Sequence, residues 1–131
     1  MIDRPTESWR TEAQEQTAAL AAGTLTEAEA YAPRLWPEVF IAAVDSALDR
    51  YEADVQRLHS SPDEEVLASV QQVVFALNAI AYEHGRIETD EREELCEYID
   101  DVLTDTGVDV AALTARHGIG RSNLTDKWRE W

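Results

Sequence analysis

The chain has 131 residues with 27 acidic against 11 basic side chains, a formal net charge of −16, which is the size of one domain with a strongly anionic surface. Hydrophobic residues make up 44% and Gly and Pro are sparse, so it reads as a folded, helix-rich globule and not as an acidic disordered tail. The charge argues against binding nucleic acid phosphates and against adsorption to anionic membranes, since both need Lys and Arg, and it favours a basic protein partner.

Solubility or adaptation to salt is the plain alternative explanation of this acidity, and Lys127 is the only lysine beside ten arginines. The single cysteine, Cys96, cannot close an internal disulfide, so a reducing cytoplasm is the expected compartment. The opening MIDRPTESWR lacks a basic segment followed by an apolar one, so no signal peptide is expected. No apolar run is expected to reach the roughly 18 residues that span a bilayer.

In chain order, residues 6–22 read as an amphipathic helix with Trp9, Ala13, Gln16/Thr17 and Leu20 on one face, stopped by Gly23. Thr26 and Glu29 have the spacing of a capping box, and Pro33 limits any helix there to about two turns. Residues 31–37 are expected to form a stiff connector, because Ala32 and Trp36 both precede proline. Pro37 opens a helix to about His59, with Phe40, Ala43/Val44, Ala47/Leu48, Tyr51, Val55 and Leu58 recurring at three and four.

The next helix, 62–84, is the most apolar: residues 73–82 contain only Asn78 as a polar side chain, which places this helix centrally. Ser61 is its expected cap, with Glu64 at capping-box spacing and Asp63 and Glu64 at the positive end of the dipole. A short link at 60–62 makes it a hairpin with the preceding helix. Gly85 ends it and 86–88 form a connection. Thr89 is the expected cap of a helix to about Asp105, with Leu95, Cys96, Ile99, Val102 and Leu103 as its apolar stripe. Gly107 ends it, Asp109 caps a short helix through Arg116, and Thr125 caps a last turn that carries Trp128 and Trp131. The fold expected is all-α: a bundle of about four main helices with short terminal ones. Its core is Phe40, Val44, Leu48, Val70, Val74, Leu77, Ile80, Leu95, Ile99 and Val102. The C-terminal tryptophans are expected to dock, bringing Arg121, Lys127 and Arg129 toward acidic neighbours.

Few residues point to chemistry. His59, His84 and His117 form neither HExxH nor a zinc-finger spacing. Glu83-His84 near Glu88 and Asp90 has the right ligand types for a metal, and His84 or His117 with carboxylates gives the alternative reading of a metal-binding bundle or metal-assisted enzyme. Each histidine also stands near a helix C-terminus, where positive charge is favoured anyway. The run 101–109 lacks the Asp spacing and closing glutamate of a calcium loop. Gly118 and Gly120 lack the third glycine and preceding strand of a dinucleotide site. Cys96 lies on an acidic helix, the opposite of the electropositive setting that activates a thiol. Asn78 is expected to be a structural hydrogen bonder. No cofactor is indicated.

Charge placement is the strongest local signal. Residues 88–109 hold ten acids against the single base Arg92, a net nine of the chain's sixteen negative charges. Glu91, Glu93, Glu94, Glu97, Asp100 and Asp101 are therefore the candidate partner-binding residues, most of them expected to face water. A solvated helix face is the plain reading of the same pattern. In size, acidity and helical make-up the chain resembles the immunity proteins that neutralise bacterial toxins, many of whose targets are basic nucleases. The segment IETDEREELCEYID and the ending TDKWREW resemble segments of small bacterial proteins to which no biochemical activity attaches. The resemblance implies a small inhibitor that masks a basic partner, and it implies no particular site residues.

Overall fold

Phe40, Ile41, Val44, Leu48, Tyr51 and Val55 recur at three- and four-residue spacing and are all buried. The helix that carries them, Glu38–Gln56, packs against three others. The computed structural model describes residues 2–131 other than His59 and Arg86. Among them are α1 (Pro5–Ala22), α2 (Ala32–Leu35), α3 (Glu38–Gln56), α4 (Asp63–His84), α5 (Thr89–Asp105), α6 (Val110–Arg116) and a 3₁₀ turn at Arg121–Asn123. No strand occurs among the described residues, and the architecture is an all-α bundle of four main helices, α1, α3, α4 and α5.

α3 touches α1, α4 and α5, and its contact with α4 is the most extensive in the molecule. The short connection between them folds α4 back along α3, as a helical hairpin requires. α5 packs on α1, α3 and α6, and the Tyr51 hydroxyl donates to the Ile99 carbonyl at 2.6 Å across α3 and α5. Nine of the ten expected core residues are buried, while Ile80 is half-buried against the same cluster.

α4 is buried on one side through Val66, Ser69, Val70, Val73, Val74 and Leu77. The all-round apolar pattern suggested cover on several sides, yet Phe75 and Tyr82 face solvent. Contrary to expectation, α4 is also long and apolar enough to cross a membrane by length and composition, with its buried third packed in this bundle.

Helix ends depart from the sequence expectations in instructive ways. Pro62, not Ser61, is the cap residue of α4, and its carbonyl accepts from Glu65 N at 3.0 Å; the Ser61–Glu64 box does not form because Ser61 lies one residue outside. Glu88 takes the cap position of α5, making Thr89 the first helical residue. α3 stops at Gln56, and the His59 boundary lies outside the described residues, as does Arg86 in the 86–88 connection. Ala32–Leu35 forms a helical turn instead of an extended connector, since Pro33 near a helix start removes no needed N–H.

Other ends follow the expectation. Gly23 and Gly85 close α1 and α4 with left-handed backbone, and the Asp109 carboxylate accepts from Ala112 N at 3.0 Å. Thr26 and Glu29 form their reciprocal box around a single turn.

Candidate functional site

The candidate surface is α5, and its acids divide by what meets them. Glu91 is 3% exposed and accepts from the Trp36 indole Nε1 at 3.0 Å. It does not belong to a water-facing edge, and the reason lies in its position four residues before Leu95 on the buried side of the helix. Glu94, half-buried, accepts from the Trp9 indole at 3.2 Å. Burial holds its carboxyl above the usual carboxylate range, with Glu91, Asp90 and Glu12 adding to the effect against the Trp9 hydrogen bond. The two indoles stack at 6.0 Å between centroids, so two acids of the helix are spent holding α1 and the α2 segment to it.

Asp100 is engaged from the other side. Arg121, in the C-terminal segment, donates to both of its oxygens at 2.9 and 2.8 Å. This hydrogen bonding, ahead of the opposing desolvation, lowers the Asp100 carboxyl below its ordinary value. The C-terminal segment is therefore docked, with part of its basic charge on the acidic helix. Arg129 turns inward instead, to Asp126 at 2.7 Å and the Trp131 carbonyl at 2.8 Å. Thr125 does not cap by its side chain. Its carbonyl accepts from Trp128 and Arg129, while its buried hydroxyl lies 3.3 Å from Cys96 Sγ. Asn78 clamps this segment to α4: its amide donates to the Trp128 carbonyl at 2.8 Å and its oxygen accepts from Glu130 N at 3.0 Å. Trp128 and Trp131 pack half-buried on the core.

Of the six candidate acids, Glu93, Glu97 and Asp101 remain, four residues apart, none with an ion-pair partner among the described residues. They form one wall of a cleft of about 590 Å³ together with Arg92, and its other wall is the 121–129 segment, including Arg121, Ser122, Asn123 and Arg129. Arg121 and Arg129 on the facing wall are already engaged by Asp100 and Asp126, so the three carboxylates keep acceptors for a further guanidinium or ammonium group, whose N–H donors all need them. Cys96 also borders the cleft, but its contact there is a hydroxyl, which supplies no base for a nucleophile.

The histidines are kept apart. His117 Nε2 lies 3.1 Å from Asp63, which Arg116 also grips with two bonds of 2.9 Å, whereas His84 sits edge-on to Phe40 at 5.9 Å. Asp63 and His84 are the first and last residues of α4, about 30 Å apart at about 1.5 Å per residue, so His84 and His117 cannot share one ion. No group of three or more His, Cys, Asp or Glu is gathered for a metal among the described residues.

Sequence reading missed the N-terminal anchor. Arg4 reaches Asp45, Asp49 (2.5 Å) and Glu52 on α3, and Thr6 donates to Asp45 at 2.6 Å. No protein-family model matches the chain, and no curated protein or solved structure is significantly similar to it.

Proposed function

We propose that the chain is a small protein-binding module whose open acidic edge on α5 receives a basic segment of a protein partner, in the manner of an immunity-type inhibitor masking a toxin. The observation that carries this reading is the contrast within one helix. Glu91, Glu94 and Asp100 are held by Trp36, Trp9 and Arg121, whereas Glu93, Glu97 and Asp101 stand at four-residue spacing along a cleft with no ion-pair partner among the described residues, although Arg92, Arg121 and Arg129 also line it. Like charges at that spacing cost about 0.2–0.5 kcal/mol per pair, a cost that an incoming guanidinium or ammonium group reverses. The net charge of −16 steers a basic protein toward the surface.

The test uses the intact chain as bait, identifies the basic protein retained, and measures association of the two purified proteins. The triple variant Glu93→Gln, Glu97→Gln, Asp101→Asn should lower the on-rate by about tenfold and flatten its salt dependence while melting is unchanged. An on-rate that ignores both the variant and salt would sink the proposal.

A further inference from the structure

Between Glu65 and Glu83, α4 carries no charged residue, in a chain 29% charged overall. Six residues of this stretch are buried against the bundle, which leaves the opposite side to explain. There Ala68, Gln72, Phe75, Ala79 and Tyr82 are all exposed, at successive spacings of four, three, four and three. That is the seam spacing of helices that pair side by side. Tyr82 is 94% exposed and Phe75 49%, the two largest aromatic exposures on any one helix face here.

The flanks of the seam carry opposite charges at its two ends. Arg50 of α3, exposed and without an ion pair among the described residues, borders the groove beside Phe75. Glu83 borders a cleft of about 800 Å³ beside Tyr82, whose floor includes Ala79, Ile87 and Trp131. A two-fold axis passing between Asn78 and Ala79 would set Phe75 of one copy against Tyr82 of the other. It would bring Arg50 to Glu83 of the second copy, twice by symmetry. A basic partner helix would instead meet Arg50 with a like charge, and the acids that line the two clefts stand at the ends of the seam: Asp54, already paired with Arg57, beside Phe75, and Glu83 and Glu130 beside Tyr82.

We infer that the outer face of α4 is a homodimer seam, in which two copies pair antiparallel through Phe75, Ala79 and Tyr82 with Arg50 and Glu83 matched across the axis. The exposed parts of Phe75 and Tyr82 amount to about 300 Å² per copy, taking roughly 150–250 Å² for a full aromatic side chain. Two copies supply about half of the roughly 1,200 Å² of a small specific interface, and the alanines, Gln72 and the flanking clefts supply the rest. This surface is independent of the proposed α5 edge.

Sedimentation velocity at about 0.15 M salt, where repulsion between two anionic chains is screened, tests the seam. The full chain should pass from monomer to dimer as its concentration rises through roughly the micromolar range. Tyr82→Glu should return it to monomer without changing its melting temperature. Arg50→Glu and Glu83→Arg should each weaken self-association about tenfold, each change counting twice, and the double variant should restore it. A monomer throughout, a dimer that ignores Tyr82→Glu, or a charge swap without rescue overturns the inference. Binding of monomeric protein to neutral phosphatidylcholine vesicles, lost in Tyr82→Glu, also overturns it and assigns the seam to a lipid surface.

Discussion

Replacing Glu91 with Ala or with Gln separates its role in the fold from its charge. Glu91 is almost wholly buried and accepts the Trp36 indole N–H at 3.0 Å. Truncation to Ala removes a charge-assisted hydrogen bond of about 1.5–3 kcal/mol and leaves the indole donor without its acceptor. It also strips one buried methylene, about 0.8 kcal/mol. Against this, losing a carboxylate beside Glu94 relieves desolvation and repulsion by about 1–2 kcal/mol. The net is about 1–2 kcal/mol, or roughly 5 °C in melting temperature for a domain of this size. Glu91→Gln keeps the acceptor and the volume, so loss of charge assistance and relief of repulsion nearly cancel. It should stay within about 0.5 kcal/mol of the parent. Equilibrium urea unfolding followed by tryptophan emission reads both. If Ala costs no more than Gln, Glu91 does not grip Trp36 and belongs back on the interaction face.

Leu77, fully buried at the α3–α4 contact, should cost about 2–5 kcal/mol when cut to Ala, and a loss under about 1 kcal/mol would remove it from the core. Asn78→Ala should cost about 1–2 kcal/mol through its three bonds to the C-terminal segment and speed amide exchange only at 124–131; unchanged exchange there would show that Asn78 is not the clamp. Acidification should act in two stages. Glu94 is raised, chiefly by burial, so protonating it as pH falls through that raised value relieves the fold. Asp63, lowered from 3.8 to about 2 mainly by its hydrogen bond from Arg116, contributes stability above pH 3.8 that is lost as pH falls toward 2, and Asp100 behaves alike. Melting temperature should therefore hold or rise slightly down to about pH 5 and fall below about pH 4; a steady fall from pH 7 would contradict this assignment.

The bundle was legible because periodicity alone marks a buried face. The spacing of Phe40, Val44, Leu48, Tyr51 and Val55 needs no knowledge of what covers it. Caps were less legible, since Ser61 and Thr89 each miss the cap position by one residue while keeping cap-like spacing. The acidic helix was legible as a charge count but not as a site. Glu91 and Glu94 answer to Trp36 and Trp9, 55 and 85 residues away, and no local pattern encodes those distances. One local signal did exist: Glu91 precedes Leu95 by four and Tyr98 by seven, which puts it on the buried face. The Arg4 anchor was invisible for the same reason, because Asp45, Asp49 and Glu52 look like an ordinary solvated face of α3 until the N-terminus folds across them.

Two surfaces built from such different material must answer to salt in opposite ways, and one titration can resolve them. The α5 edge attracts by charge, through Glu93, Glu97 and Asp101, and exposed charges are screened over about 8 Å at physiological ionic strength. Its association with a basic partner should weaken steadily as salt rises. The α4 seam gains from apolar area on Phe75 and Tyr82, which salt does not screen, while the long-range repulsion between two chains of net charge −16 is screened. Self-association should therefore strengthen, even though the exposed Arg50–Glu83 contacts lose part of their small contribution. Measured on one preparation from about 0.05 to about 0.5 M salt, partner binding and dimerisation should cross in strength. If both weaken together, the seam is held by charge and its apolar stripe is not what joins the copies.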